Sequence, residues 1–548
     1  MIFFLSSLAI LQCYILPGLI MVKKYNESFI YKLISIILVS ILFNFFLVSI
    51  LIALNLYIKE VFYIFFIIQL VIIYRLYIFK DIDIEVKLNF NFLIIIFVFL
   101  LILLGLYKNT GNVFYAWDAV ISYNEWAINF SEGEYPNGMV RPYLIPKLWS
   151  LIYVFANNNT ISIFTKFTTF IFPSLILLMC LDEIIIYKKL RDFTKLFLFC
   201  IFLYLKKNFI LTGYVDIPLV AIIYCFFYYF RRQNINLSLV SIIIGFGIKI
   251  SSIFVLFFFL LSQNKNFLKK ISISIYVLIY FIFLYSSKLE NLFTSNIFNE
   301  MGQNDNFNVF INLKYSLKML SNNGLIYFLI GSIFGIFINN FTRKIFFLYI
   351  VPGWLYWSLM LSYDDRNFLF LMPGLIIINS ILLEKFILKF APYISKYINI
   401  NINHSLMTFK IMIKSYVYIF LGIIFFCSTI FINDKSIIEF NKKKQIDLIG
   451  NKKMNIELVE LIKDNKLNSN NFITDFQLVF FTPFLKDHFN WNDNFLSINT
   501  KNLHDYDYYL IYGHSHLARK IINERIGNNE LRLILNINGF ILAGIIKT

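Results

Sequence analysis

Long apolar runs recur along most of this 548-residue chain, and short polar stretches separate them. A helix of about 20 apolar residues crosses a hydrocarbon core that is about 30 Å thick. The three shortest runs, 196–206, 235–248 and 251–262, predict tilted, broken or re-entrant segments. The runs predict about thirteen helices, with 367–383 as a fourteenth, near 2–21, 33–56, 61–79, 92–107, 161–181, 196–206, 209–230, 235–248, 251–262, 271–287, 325–339, 345–361 and 411–432.

The composition supports a membrane protein and excludes an ordinary soluble one. Hydrophobic residues make up 59% of the chain and charged residues 15%, against about 25% charged in soluble domains. The net charge of +17 would suggest nucleic acid in a soluble protein. Here it fits Lys and Arg retained in cytoplasmic loops, so no nucleic-acid partner is expected. The fold class is a polytopic α-helical membrane protein.

Basic residues mark every second loop, which fixes an orientation under the positive-inside rule. The pattern requires an outer N-terminus, with the short runs 235–248 and 251–262 counted as a pair. The loops 108–159 and 287–324 and everything after residue 433 then lie outside the cytoplasm. Residues 1–21 lack the basic start and cleavage site of a signal peptide, which predicts a retained first helix. We expect a multi-pass protein of the plasma (inner) membrane.

The chain changes character after residue 433, where charged residues and Asn become frequent and apolar blocks become short. This tail predicts a small extracytoplasmic α/β domain. Its predicted elements are strands at 471–475 and 508–512, a helix at 515–526 and a hairpin over 531–546 that turns at Asn538-Gly539. The expected domains are N-terminal transmembrane helices at 1–91, a catalytic transmembrane domain at 92–432 and the tail at 433–548.

Ionisable residues at membrane depth are costly and are therefore functional candidates. In the first outer loop, helical spacing places Asp118 and Ser122 on one face, with Glu125 a turn further and Trp117 and Trp126 at the flanks. A carboxylate held against apolar surroundings has a raised pKa, which suits a general base. The other interpretation, which the residues leave open, is that Asp118 caps an interfacial helix.

Four outer connections carry further charged and tyrosine residues near the membrane surface. Together they predict a site for an anionic lipid head group, with Lys249 and Arg366 on the phosphate. Taken singly, each basic residue also fits a snorkelling anchor. The candidate binding residues are Arg141, Lys147, Lys207, Tyr214, Asp216, Lys249, Tyr363, Asp365 and Arg366.

Several common chemistries lack their signals in this sequence. It has no P-loop, no GxGxxG after a strand and no GxSxG, and its five cysteines contain no CxxC spacing. His514 and His516 lie one residue apart, but no third ligand is evident, so a solvated turn is the expected structure. No metal-ligating residue is therefore assigned.

The ordered motifs resemble those of the GT-C superfamily of integral-membrane glycosyltransferases, over roughly residues 90–385. The resemblance is to the bacterial branch related to protein mannosyltransferases and to the enzyme that adds aminoarabinose to lipid A. The motifs are Trp117-Asp118 through Trp126-Ala127, Tyr143 to Ser150, Gly213 to Pro218, Gly247 to Ser251 and Asp365 to Pro373.

This resemblance implies transfer of a hexosyl or pentosyl group from a polyprenyl-phosphate donor to a glycan, lipid or protein acceptor on the outer face. Asp118 would be the base, with Glu125 as the second catalytic carboxylate, and Arg366 would lie near the carrier phosphate. A divalent ion, Mg²⁺ or Mn²⁺, stays open, because the outer loops contain no Asp-x-Asp. The alternatives are a transporter or flippase of lipid-linked sugars and an O-antigen ligase- or polymerase-like enzyme.

Overall fold

The computed structural model describes two compact units, one of membrane-type helices and one around a sheet. The described residues are 2–22, 27–78, 123–134, 143–156, 165, 168–206, 209–210, 214–262, 309–361, 365–397, 472–474, 491–492, 508–512, 516–537 and 540–545. The predicted segments 92–107, 271–287 and 411–432 lie outside them. All statements below concern the described residues.

The described part of the first unit consists mainly of apolar helices. Short 3₁₀ segments cover Ile250–Ser252 and Asp365–Leu371, and π-helical segments cover Phe346–Ile350 and Trp357–Leu361. The helices are α1 Ile2–Tyr14, α2 Leu16–Met21, α3 Phe29–Ala53, α4 Lys59–Ile78, α5 Glu125–Ser131, α6 Leu144–Ala156, α7 Ile171–Tyr187, α8 Leu190–Leu205, α9 Asp216–Arg231, α10 Ile235–Ile248, α11 Ile253–Ser262, α12 Val309–Asn322, α13 Ile326–Gly335, α14 Asn340–Ile345, α15 Val351–Tyr356 and α16 Met372–Tyr397.

Three stretches of the described chain are long and apolar enough to cross a membrane: Phe4–Met21, Phe29–Ala53 and Asp365–Phe390. A fourth results if α12 and α13, which meet at 104°, count as one span. The apolar segments predicted around α7 to α10 are helical, but these helices have only 14–17 residues. The described part of the predicted outer loop 287–324 is also helical, because residues 309–322 form α12.

The break between α1 and α2 shows how a polar side chain stabilises a bent apolar helix. Pro17 has no N–H, so the carbonyl of Cys13, four residues earlier, loses its helical donor. Asn44 of α3 replaces that donor: its side-chain amide nitrogen lies 3.2 Å from the Cys13 oxygen and 2.8 Å from the Gln12 oxygen. Freed backbone groups in an apolar environment need such partners.

A second buried asparagine joins α13 to α16. The amide nitrogen of Asn379 donates to the Phe328 carbonyl at 2.8 Å and to Ser332 Oγ at 2.9 Å. Gly331 faces this amide, and a Cβ at that position would overlap it. Small residues at such contacts let helix backbones approach closely. The contact packs α13 closely against α16.

An ion-pair network joins the end of α7, the start of α8 and the end of α9. Lys195 Nζ lies 2.5 Å from Glu183, and Arg231 Nη1 lies 2.8 Å from Glu183 and 2.7 Å from Asp192. Arg232 pairs with Asp182, which also accepts a hydrogen bond from Ser28 at the start of α3. The network consists of Asp182, Glu183, Asp192, Lys195, Arg231 and Arg232.

The three carboxylates of this network are 0–2% exposed. Tyrosine hydroxyls add hydrogen bonds to two of them: Tyr224 donates to Glu183 at 2.6 Å and Tyr228 to Asp182 at 2.5 Å. Buried charges persist only when they are paired and hydrogen-bonded. The sequence pattern treats Lys195, Arg231 and Arg232 as orientation signals, and the structure gives them this additional packing role.

The second unit contains a five-stranded sheet and one helix within its described residues. The strand order is β2-β1-β3-β5-β4, with β1 parallel to β2 and β3, and β5 antiparallel to β3 and β4. The elements are β1 Phe472–Thr474, β2 Trp491–Asn492, β3 Tyr508–Tyr512, α17 His516–Gly527, β4 Leu531–Ile537 and β5 Phe540–Ile545. The described strands and helix fall where the sequence predicts strands, a helix and a hairpin. The helix that the spacing of residues 444–466 also predicts lies outside the described residues. The α/β domain as a whole and its extracytoplasmic location stay predictions.

Replacing Arg231 by Met removes one cation that neutralises two buried carboxylates. We expect a loss of about 3 kcal/mol in stability, because breaking a buried pair leaves charge uncompensated. The measurement is the thermal midpoint of the detergent-solubilised protein. Lys59→Met is the matched control, since Lys59 and Glu60 form an exposed pair at 3.8 Å that contributes at most about 1 kcal/mol. Equal midpoints for the two variants would contradict the structural role of the network.

Candidate functional site

Polar residues from four chain segments meet at the ends of α8, α9 and α10 that lie opposite the ion-pair network. Lys206 follows α8, Asp216 begins α9 and Lys249 follows α10. Tyr214 lies just before α9, and the 3₁₀ segment that leads into α16 adds Asp365, Arg366 and Asn367. We call this group the site cluster; its members are Lys206, Tyr214, Asp216, Lys249, Asp365, Arg366 and Asn367.

Lys249 is the centre of the site cluster. Its ammonium forms an ion pair with Asp216 and lies 3.0 Å from Asn367 Oδ1. The Asp216 side chain is 4% exposed, whereas the Lys249 side chain is 23% exposed. An ammonium has three donors, and within the described residues these two partners occupy two of them. The lysine is therefore held in place at the edge of the solvent-accessible surface.

A second ion pair and a cation–π contact extend the site cluster. Lys206 Nζ lies 2.5 Å from Asp365 Oδ2, and the Lys206 side chain is 6% exposed. The guanidinium carbon of Arg366 lies 4.1 Å from the ring centroid of Tyr214. Stacking uses the face of the guanidinium, and its N–H edge is the part that binds phosphate bidentately. Among the described residues, the cluster thus brings together three cations and two carboxylates.

Local sequence explains how these side chains reach their positions. Asp216 lies in the first turn of α9, where the helix dipole favours a carboxylate and where Pro218 is tolerated. Lys249 has extended backbone angles (φ −153°, ψ 144°), so α10 ends there. A Cβ on Gly247 would lie 2.7 Å from Leu144 Cδ1, which shows how closely this end of α10 packs on α6.

Lys147 occupies a different environment from the one predicted. Its Nζ donates to Ser49 Oγ at 2.7 Å and lies 4.9 Å and 5.3 Å from the ring centroids of Phe45 and Phe130. It lies on α6, in the stretch that the sequence places outside the membrane. Burial lowers the pKa of Lys147 to about 7. Its phosphate-binding role stays a prediction, and a buried ammonium is poorly placed to reach a ligand.

The remaining predicted site residues lie outside the described residues: Asp118, Arg141, Lys207 and Tyr363. The backbone of Glu125 is described and begins α5. Five candidates, Tyr214, Asp216, Lys249, Asp365 and Arg366, meet in the site cluster. Their shared location is observed, and their roles in binding stay predictions.

The candidate binding residues do not include some of the polar residues that the structure brings together. Lys206, the neighbour of the candidate Lys207, belongs to the site cluster through its ion pair with Asp365. Asn367 accepts a hydrogen bond from Lys249. Asp182 and Glu183 were not singled out, although two adjacent acids near the end of an apolar run are a signal of buried charge. Within the described residues no group of three His, Cys, Asp or Glu side chains could hold a metal ion, so the divalent ion stays open.

Comparisons with known proteins give one structural likeness. No protein-family model matches the chain, and no curated protein matches it. Among solved structures, it is similar to the crystal structure of ArnT from Cupriavidus metallidurans in the apo state, with a TM-score of 0.47 and 9% sequence identity. The match covers 82% of this chain and 97% of that chain. The GT-C assignment stays the expectation drawn from the sequence motifs.

The environment of Lys147 predicts a pH-dependent stability. Its pKa is about 7 in the folded protein and 10.5 ordinarily, so between these values the unfolded chain binds more protons. Stability from this group therefore rises as pH increases through that window. We expect the thermal midpoint to rise between pH 6.5 and pH 9, and this rise to be larger in the unmodified protein than in Lys147→Met. The exposed Lys389→Met is the control, and an unchanged pH difference in Lys147→Met would refute the assignment.

Proposed function

We propose that the chain is an integral-membrane glycosyltransferase that moves a sugar from a polyprenyl-phosphate donor to a cell-envelope acceptor. The observation that carries the proposal is the convergence of Tyr214, Asp216, Lys249, Asp365 and Arg366 at one end of the helix bundle. The sequence predicts the same residues, on separate loops, as part of a site for an anionic lipid head group, with Lys249 and Arg366 on the phosphate. The proposed location is the outer face of the plasma membrane.

The site cluster has the properties that a phosphate leaving group requires. Lys249 is already oriented by Asp216 and Asn367, so little reorganisation is needed when an anion arrives. Arg366 supplies a planar, permanently charged group whose orientation is set by Tyr214. A phosphate would compete with Asp216 and Asp365 for their lysines, which gives the lipid a way to displace existing ion pairs.

The proposed reaction is a single displacement at the anomeric carbon. Asp118 accepts the proton of an acceptor hydroxyl while that oxygen forms the new glycosidic bond. The bond between the anomeric carbon and the phosphate oxygen breaks, and the electron pair leaves with the lipid phosphate. The cations of the site cluster stabilise that charge, and Glu125 is the second candidate carboxylate.

Asp118→Asn tests the base. We expect transfer to be abolished with normal membrane insertion, because the amide cannot accept the proton. The assay follows sugar transfer from a polyprenyl-phosphate donor by the purified protein, and glycan mass spectrometry of deletion cells complemented with the variant identifies the acceptor. Asp83→Asn, on the predicted cytoplasmic side, is the matched control. Substantial activity in Asp118→Asn would show that another group is the base.

The same assay separates the proposal from a transporter of lipid-linked sugars. A transporter would move the intact lipid across a vesicle membrane without cleaving the bond to phosphate. The proposed enzyme releases polyprenyl phosphate and needs no transfer between leaflets. The assay is run with the acceptors identified by mass spectrometry. If the intact donor then crosses the membrane and its bond to phosphate is not cleaved, the transferase assignment is wrong.

Arg366→Gln tests the phosphate site. We expect kcat/KM for the lipid donor to fall by about tenfold to a hundredfold, the range of a lost hydrogen bond to a charged group. Arg366→Lys should restore part of the loss, since it returns the charge without the bidentate geometry. The exposed Arg343→Gln is the control. If Arg366→Gln and Arg343→Gln have the same kinetics, Arg366 does not bind the donor.

A further inference from the structure

Helix α12 lies across the direction of its neighbour α13. The two axes meet at 104°, and the turn between them contains Gly324 at φ +69°, a conformation that glycine adopts without strain. Asn379 fixes α13 against the α16 span. For a membrane crossed by the α16 span, a helix at this angle to α13 is suited to lie along the membrane surface.

The exposed face of α12 has an unusual pattern. At 100° per residue, Lys314 and Lys318 lie at the centre of that face, one turn apart, and both are exposed. Large apolar side chains lie on both flanks of the lysine pair. Phe310 (83% exposed) and Leu317 (42%) are on one side, and Ile311 (61%) and Tyr315 (47%) are on the other.

The opposite face attaches α12 to the bundle. Ser316 and Leu320 are fully buried, and the Asn312 amide lies 3.4 Å from the Leu359 carbonyl. Leu359 belongs to the π-helical segment that comes shortly before Asp365 and Arg366 in the chain. This attachment places α12 at the end of the bundle that carries the site cluster.

We propose that α12 is a membrane-interface helix whose lysine pair binds the phosphates of anionic phospholipids. A helix in water gains nothing from large apolar side chains on both flanks of its charges. A helix in hydrocarbon would not carry two lysines at the centre of its exposed face, because buried charge is costly. The boundary between phosphates and acyl chains satisfies both groups. The inference goes beyond the proposed reaction and does not depend on it.

The experiment places an environment-sensitive fluorophore on Leu317→Cys in the full chain, reconstituted in bilayers. Quenching of the fluorophore is measured with three quenchers: a nitroxide on the lipid headgroup, a nitroxide at the end of the acyl chain, and iodide in the aqueous phase. A second comparison uses trace amounts of two lipids that carry the same headgroup nitroxide, phosphatidylglycerol and phosphatidylcholine. The second variant adds Lys314→Gln and Lys318→Gln. The matched control adds Lys385→Gln and Lys389→Gln, an exposed pair with the same spacing on α16.

We expect the strongest quenching from the headgroup label, and a phosphatidylglycerol preference of at least about fivefold, since one lysine near an anionic surface contributes about that factor. The preference should disappear in the α12 variant and persist in the α16 control. Quenching mainly by iodide, or mainly by the chain-end label, would overturn the interfacial position. Two results would overturn phosphate binding. One is equal quenching by the two labelled lipids in the protein with native lysines. The other is an unchanged preference for phosphatidylglycerol after Lys314→Gln and Lys318→Gln.

Discussion

The cost of burying charge in an apolar bundle governs the described structure. Helices α8 and α9 each carry ionisable residues at both ends, and at each end those residues find partners on other segments. At one end Glu183, Asp192, Lys195 and Arg231 neutralise one another in nearly complete burial. At the other end Asp216 pairs with a lysine that keeps about a quarter of its side chain exposed. The first arrangement is buried and balanced in charge, and the second keeps its central lysine partly exposed, which is why the second is the candidate for binding.

Helix α9 connects these two environments. All its residues from Asp216 to Tyr229 are buried, as expected of a helix that is apolar on all sides. Its 16 residues give a length of about 24 Å, somewhat less than a hydrocarbon core about 30 Å thick. Because Asp216 and Arg231 lie at opposite ends of one rigid element, the ion-pair network limits how Asp216 can move relative to α7 and α8.

Much of this arrangement could be predicted from the sequence, since it depends on short-range patterns. The helix 235–248 has the predicted bounds, and the strands and helix of the tail lie where apolar blocks and turn residues place them. The charges at 214–216, 249 and 365–366 were predicted to share a face because basic loops alternate. The choice of partner was not predictable: Lys249 pairs with Asp216, and Lys206 pairs with Asp365, 159 residues away. Such pairing depends on helix ends meeting in space, which no local pattern encodes.

The absence of a local signal for contacts between distant segments also explains where the structure differs from what the sequence predicts. Residues 309–322 were treated as part of a loop because two lysines and several polar residues lower their hydropathy, yet their spacing gives one buried and one exposed face. Asn44 and Asn379 have no sequence signal beyond being polar within apolar runs, and each satisfies backbone carbonyls on another helix. A polar residue inside an apolar run is thus ambiguous on its own. Lys147 and Lys249 make the point: both are lysines near apolar helices, but one faces two phenyl rings and the other faces a carboxylate and an amide at an open edge. Exposure and partners, which only the folded chain defines, decide which of them can meet a ligand.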